Sequence, residues 1–284
     1  MDQEAGAEQP AQRRWTRRRN VVLLALGAVV ILALGGSAAA YFLFREGAEP
    51  VSIPEAEKRF EEDRTSGPRP GSLLVPAEGV YRYRGSGTDQ LSVPPTSQDQ
   101  GPEMPGTVTH GKDGCWTFRI DYSTNHWQNW TYCSPDGRLE EQGGQTFQRW
   151  DLVFTTIDTL TTFTCDPPAV TLRPSMEPGE TWRQSCSGTS TSVEGIGISA
   201  GPLRFVGTER LTIGGRRVDA YHFKQRRNLE GAQTGFVQTE VWFGTDGLPL
   251  RNERHAEVHS NSIVGDVVYN EDGNFTLTSL RPTS

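Results

Sequence analysis

The chain has 284 residues, a formal net charge of −7 and a sequence pI near 5.4. This acidic balance argues against nucleic acid as a partner, because nucleic-acid-binding domains carry basic patches. Hydrophobic residues make up 35% of the chain, but only residues 21–44 approach the ~20 consecutive apolar residues that a membrane-crossing helix needs. A protein with several membrane spans is therefore excluded.

The N-terminal part predicts a single membrane anchor. Residues 1–20 form a basic tail, and residues 21–44 carry no charge. As a helix this run is about 36 Å long, enough to cross a ~30 Å hydrocarbon core. The positive-inside rule then places the N-terminus in the cytoplasm and residues 45–284 outside the plasma membrane. The arginines that set this orientation are Arg13, Arg14, Arg17, Arg18 and Arg19.

Two further hypotheses concern the same run. A cleaved signal peptide is the alternative, with the small residues 37–40 as its cleavage region. The apolar run continues past that point, which favours an anchor. Gly35 and Gly36 permit close approach of helices, so a homodimer through this segment is a second hypothesis.

Residues 45–74 are predicted as a stalk that is either disordered or a short helix. Ser52-Ile53-Pro54-Glu55 has the pattern of a helix start, with a serine cap, a proline in the first turn and acidic residues near the positive end of the dipole. A helix over residues 55–64 would be highly charged, and its apolar surface is expected to be too small to pack.

From residue 79 onward the pattern is that of β-strands. Apolar and polar residues alternate, and β-branched and aromatic residues are frequent. Residues 94–106 contain four prolines and are predicted as a loop. Dipeptides typical of tight hairpin turns occur at Asp113-Gly114, Asp136-Gly137, Gly214-Gly215, Asp246-Gly247 and Asp272-Gly273. We therefore predict an all-β fold.

An internal similarity suggests that this β region is duplicated. Tyr132-Cys133-Ser-Pro-Asp136-Gly137 parallels Trp242-Phe243-Gly-Thr-Asp246-Gly247 in the second half of the chain. Residues 75–168 and 169–284 are therefore predicted as two copies of one antiparallel meander, arranged as curved sheets or in a barrel-like form. Chance similarity between β-rich segments is the alternative.

The four cysteines lie on the predicted outer side, where disulfides persist. A hairpin register centred on Thr124 places Cys115 opposite Cys133, within disulfide reach. Cys165 and Cys186 flank the junction of the two predicted repeats. These two pairings are favoured, although four cysteines allow three connectivities and the sequence alone leaves them open.

No motif for catalysis, phosphate binding or zinc proteolysis is present, so no catalytic residue, metal ligand or cofactor is predicted. A candidate binding surface comprises His126, Trp127, Trp130, His255, Glu257 and His259. Core packing is the alternative for the tryptophans, which otherwise offer a stacking surface for a glycan or peptide. On a strand, His255 and His259 share a face but lie about 13 Å apart, too far for one zinc ion. A solvated or cross-strand paired row is expected there.

Several short segments resemble known groups of proteins. Cys115-Trp116, Tyr132-Cys133, Cys165-Asp-Pro167-Pro168 and the segments at 247–251 and 278–282 resemble a group of uncharacterised actinobacterial single-pass, membrane-anchored extracytoplasmic proteins. That resemblance implies a location but no activity. Trp242-Phe243 followed by Asp246-Gly247-Leu-Pro249 is similar to a strand–turn–strand of LolA and LppX-type lipoproteins, curved antiparallel sheets that carry lipid or lipoprotein. This second resemblance implies topology only, since their lipidated cysteine is missing.

The leading functional hypothesis is a non-catalytic, membrane-anchored extracytoplasmic β domain that acts as a scaffold or binds an envelope protein, glycan or lipid. The alternative is a carrier that holds an apolar ligand such as lipid in a concave sheet. An envelope hydrolase is less favoured, because no nucleophile–base arrangement is readable. A filled interior would contradict the carrier hypothesis.

Overall fold

The structure is a computed structural model. It describes residues 48–64, 71–112, 114–152, 155–262 and 265–283. The predicted tail and apolar run, residues 1–20 and 21–44, lie outside this range. Within it, no helix has the length and apolar character needed to cross a membrane.

The first element is helix α1, Ile53–Asp63. Ser52 caps it as predicted: the Glu55 N–H donates to Ser52 Oγ at 3.4 Å, and the Ser52 N–H donates to the Glu55 carboxylate at 2.9 Å. This reciprocal arrangement satisfies two of the backbone donors that a helix start leaves free.

The expectation that this helix is too polar to pack was wrong. Ile53, Ala56 and Phe60 are all buried, and they form a small cluster with Val80. Their spacing places them on one face of a helix, so a few apolar residues are enough to hold α1 against the sheet.

Thirteen antiparallel strands follow, separated among the described residues only by turns, loops and one short 3-10 helix, Pro135–Gly137. They are β1 (Gly79–Ser92), β2 (Pro95–Gln100), β3 (Glu103–His110), β4 (Cys115–Asp121), β5 (His126–Cys133), β6 (Leu139–Leu152), β7 (Thr155–Leu172), β8 (Thr181–Ser190), β9 (Gly197–Ile213), β10 (Arg216–Gly231), β11 (Gln233–Phe243), β12 (Pro249–Ser262) and β13 (Gly265–Leu277).

These strands form one closed sheet. From β3 to β13 each strand pairs with the next, and β1 pairs with β3 on one side and β13 on the other. The result is a barrel of 12 strands, with β2 as an extra strand on β1. The prediction of an all-β, antiparallel and barrel-like fold is confirmed. Both predicted repeats belong to the same sheet, and their common origin stays a prediction.

The predicted loop at residues 94–106 is wrong, because most of it forms β2 and β3. Pro95 is the first residue of β2, which pairs only with β1, so its missing N–H breaks no ladder. Pro105 of β3 faces Arg82 of β1 but lies outside the stretch that pairs with β4. Both prolines therefore occupy strand positions that tolerate them.

The turn dipeptides are correct with one exception. The turns predicted at Gly114, Asp136-Gly137, Gly214-Gly215 and Asp246-Gly247 lie between strands. Asp272-Gly273 instead lies within β13, where Gly273 faces Gly87 of β1. A Cβ on Gly273 would lie 2.5 Å from Oε1 of Gln100, so glycine here permits close packing inside a strand.

The two ends of the closed sheet differ. Near the β3–β4, β9–β10 and β11–β12 turns the interior is filled by a large hydrophobic core that includes Trp116, Phe118, Phe223 and Phe275. Toward the β1–β2, β8–β9, β10–β11 and β12–β13 connections it encloses a cavity. We call this second end the mouth end.

Both predicted disulfides are present. Cys115–Cys133 joins directly opposed residues of β4 and β5, in the register centred on Thr124. Cys165–Cys186 joins β7 and β8 beside a ladder of four residue pairs, the shortest among the described strands. This second bond therefore clamps the weakest seam of the sheet.

Removal of either disulfide by a double Cys→Ser substitution is expected to cost about 3 kcal/mol, because the sequence separations of 18 and 21 give similar loop-closure entropies. Their local effects should differ. Loss of Cys165–Cys186 should reduce amide hydrogen-exchange protection in β7 and β8, whereas loss of Cys115–Cys133 should leave that seam protected. Equal exchange at the β7–β8 seam in the two variants would contradict the clamp.

Candidate ligand-binding cavity

The cavity at the mouth end has a volume of about 640 Å³, within the range of small-molecule sites. It is lined by alternate residues of the strands, because successive side chains of a strand point to opposite faces. On β7, for example, Thr159, Thr161 and Phe163 face the cavity, and Thr162 between them is exposed on the outer face.

The cavity wall combines apolar and hydrogen-bonding side chains. Its apolar part includes Leu91, Trp130, Trp150, Leu229, Val237 and Val258. Its uncharged polar part includes Gln128, Gln145, Gln148, Gln225, Gln233 and Asn252. Such a wall suits a ligand with an apolar body and at least one polar group.

A buried ion pair joins β6 and β10, which are not neighbours in the sheet. Two Arg227 nitrogens donate to the two Glu141 carboxylate oxygens at 2.6 and 3.1 Å. Both side chains are only 11% exposed, and Gln184 Oε1 accepts a further bond from Arg227 at 2.9 Å. This bidentate geometry offsets much of the cost of burying two charges.

A second ion pair lies in the wall between β12 and β13. Arg254 Nε donates to Glu271 Oε2 at 2.7 Å. Burial alone would lower the pKa of Arg254, but the adjacent Glu271 carboxylate outweighs it and the pKa is raised. Arg254 therefore stays charged inside the protein.

Behind this wall lies a buried polar network centred on Asp89. His126 Nδ1 lies 2.9 Å from Asp89 Oδ2. Asp89 Oδ1 accepts bonds from Gln100 Nε2 at 2.9 Å and from the Tyr269 hydroxyl at 2.8 Å. Asp89 is fully buried, and because a buried carboxylate needs several hydrogen-bond donors, these contacts satisfy its oxygens.

His126 is the basic side chain in contact with Asp89 in this network. Burial would lower the pKa of His126, but the adjacent Asp89 carboxylate, with Glu271 behind it, raises it above the ordinary value. Arg254 opposes this effect, because its positive charge lowers the pKa of His126.

Two groups of residues have the proximity of metal ligands, but neither fits a metal ion. Ligand atoms of Asp89, His126 and Glu271 lie within 4.8 Å of one another. An ion there would have to displace the hydrogen-bond donors on Asp89 and lie beside the Arg254 guanidinium, whose positive charge would repel it. In the other group, Glu141 with Cys165 and Cys186, the sulfurs form a disulfide and provide no thiolate.

Three buried polar atoms of cavity-lining residues have no hydrogen-bond partner within the described part of the chain. They are Gln128 Oε1, Gln148 Nε2 and Glu271 Oε1. An unpaired buried polar atom costs roughly 1–3 kcal/mol, so these three atoms reduce the stability of the folded protein. The Gln128 and Glu271 oxygens are hydrogen-bond acceptors, and the Gln148 nitrogen is a donor.

The structure separates the six residues of the predicted binding surface. Trp130 lines the cavity and stacks on Phe118, with ring centroids 6.1 Å apart. Trp127 stacks on Phe147, and the Arg119 guanidinium lies 4.1 Å from its ring centroid. His126 is fully buried in the Asp89 network and belongs to no exposed surface.

His255, Glu257 and His259 share the outer face of β12, while Arg254 and Val258 line the cavity on the inner face. The expected cross-strand pairing is confirmed for the two histidines. His255 Nδ1 lies 2.6 Å from an Asp272 oxygen, and His259 Nδ1 lies 2.8 Å from an Asp266 oxygen. A binding role for this row stays a prediction.

The charged residues of the cavity were not predicted, although one signal was available. Arg254 has the same strand parity as Ala256 and Val258, which the alternation of β12 assigns to the interior. A charged residue on a core-facing position indicates a buried ion pair or a site. Arg227 and Glu141 gave no such signal.

Comparisons with known proteins add little to this description. No protein-family model matches the chain, and a search of curated proteins gives no match. Among solved structures, the chain is similar to the hypothetical lipoprotein YmcC from Escherichia coli, with 10% identity and a TM-score of 0.33. The match covers 81% of this chain and 100% of that one. At this TM-score the likeness carries no argument, so fold and site define the class: a closed antiparallel β-sheet protein with an internal cavity.

The His126 network predicts a dependence of stability on pH. Because the folded-state pKa is raised, the stabilisation by protonated His126 is complete below the unfolded pKa of about 6.5 and is lost as pH rises through the folded pKa. The free-energy difference between wild type and His126→Gln should therefore shrink on alkalinisation, by ~1.4 kcal/mol per unit of pKa shift. Chemical denaturation between pH 5.5 and 9 measures it.

The matched control is His255→Gln, because His255 is 46% exposed and lies outside the network. The difference in unfolding free energy between His255→Gln and wild type should vary less with pH. A pH-independent His126→Gln difference would contradict a protonated His126.

Proposed function

We propose that this protein is a non-catalytic, extracytoplasmic binding protein that holds one mostly apolar ligand, such as a single-chain lipid, inside its closed sheet. The observation that carries the proposal is the cavity of about 640 Å³ with its wall of apolar and uncharged polar side chains. Protein interiors are ordinarily close-packed, so a scaffold has no need of such a space.

The extracytoplasmic location is supported by the two disulfides, which persist in oxidising compartments. The predicted anchor at residues 21–44 and its basic flank support the same orientation.

A binding role fits the cavity better than hydrolysis does. Both carboxylates that line it, Glu141 and Glu271, are engaged in ion pairs with arginines. Among the described residues, no histidine lines the cavity to activate its serine and threonine hydroxyls. The wall therefore provides contacts without a nucleophile–base pair.

The test is cross-linking of the full-length protein in detergent with a diazirine derivative of palmitate, followed by peptide mapping. We expect label on peptides of the cavity-lining strands, and excess unlabelled oleate should compete with it. Thr161→Trp, which fills the cavity, should reduce this label at least tenfold.

Thr162→Trp is the matched control, since the same substitution one residue away points to the outer face. It should label like wild type, and material that co-purifies with both proteins should be depleted in Thr161→Trp. Equal labelling of the two variants, or label confined to residues 21–44, would contradict a cavity ligand. A co-purifying glycan or peptide in place of lipid would favour the broader envelope-binding hypothesis.

A further inference from the structure

The mouth end of the sheet concentrates exposed apolar side chains. Of the five large hydrophobic residues exposed in the described part of the chain, four lie there: Val93, Ile157, Ile196 and Ile198, exposed by 40%, 37%, 64% and 42%. The fifth, Leu73, lies outside the cavity lining and precedes β1, whose first residue is at the opposite end. We call the four residues the rim.

Apolar residues are unusual at such positions, because turns and loop tips ordinarily carry Gly, Asn, Asp, Ser or Pro. Val93 lies between β1 and β2, and Ile196 lies between β8 and β9. Exposed apolar groups at adjacent tips mark an interaction surface.

The described chain also begins at this end. The Thr124 N–H donates to the Glu49 carbonyl at 2.8 Å, and the Glu49 N–H donates to Thr124 Oγ1 at 3.2 Å. Thr124 lies in the β4–β5 turn, which has the same strand polarity as the mouth-end connections. The described chain therefore enters the sheet on the side of the mouth.

The charged residues near the rim limit what can dock there. Asp151, Glu194, Glu230 and Asp266 are exposed at or beside the mouth-end connections. This acidic ring disfavours an anionic surface, so attraction has to come from burial of the apolar side chains.

We propose that the rim docks on the surface of a lipid bilayer with uncharged headgroups, so that the cavity mouth opens onto lipid. The apolar tips, the point where the chain enters the sheet and the acidic ring together favour this occupant. Docking goes beyond the proposed ligand role, since the rim can bind lipid whether or not the cavity does.

The experiment uses full-length protein reconstituted into phosphatidylcholine vesicles that contain a small fraction of diazirine-bearing phosphatidylcholine. After irradiation, peptide mapping should find label at residues 21–44 and also around Val93, Ile157 and Ile196. The double variant Ile196→Asp/Ile198→Asp should lower the label on the β8–β9 connection at least fivefold. Replacement of a third of the lipid by phosphatidylglycerol at low salt should lower rim label, and added salt should restore it.

Leu73→Asp is the matched control, because it places the same charge at a residue that is 73% exposed and not part of the rim. It should leave rim label unchanged. If the wild-type protein is labelled at residues 21–44 but not at the rim, the proposal is overturned whatever the variants show. That result would point to a protein as the partner of the rim. Rim label that survives the double variant also overturns the proposal. Thr161→Trp should keep its rim label even where it loses cavity label, which separates docking from ligand binding.

Discussion

The pairing of the first and last strands is the constraint on which the rest of the structure depends. Nine residue pairs, from Tyr83 with Leu277 to Leu91 with Tyr269, join β1 to β13 and leave the main sheet without long free edges. This contact is very close at Gly85, where a Cβ would lie 1.9 Å from the Asn274 carbonyl oxygen. The closure therefore depends on backbone geometry that a side chain would block.

Closure of 12 strands makes a ring too wide for side chains to fill at every level, since about eight strands give an interior that side chains just fill. Stacked aromatic residues fill one end. The side chains of Glu141 on β6 and Arg227 on β10, four strands apart in the ring, meet in a bidentate pair beside Cys186 of β8. The space that neither these side chains nor the aromatic core fills is the cavity.

Local sequence patterns predicted those features that depend on local geometry. Period-two alternation gave the strands, the Thr124-centred register gave the Cys115–Cys133 bond, and Ser52 gave the helix start. The β1–β13 closure was not predictable, because its partners are far apart in the chain and no local pattern selects them. The Arg227–Glu141 ion pair was not predicted for the same reason, since its two residues are 86 positions apart in the chain. Asp272-Gly273 was wrongly predicted as a turn, because a glycine that permits close approach inside a strand has the same sequence pattern as a turn glycine.

Two places where strands meet, the short β7–β8 ladder and the β1–β13 closure, are held by contacts beyond backbone pairing. These contacts restrict how a ligand reaches the cavity. Cys165–Cys186 holds the short β7–β8 ladder. At the closure, Asp89 of β1 binds Tyr269 of β13 and His126 of β5, so one buried carboxylate ties three strands together. Entry at either of these two places would require breaking a covalent bond or opening the buried network around Asp89. Passage through the mouth breaks neither, so the chemistry of the rim, more than that of the wall, decides from which surface a ligand arrives.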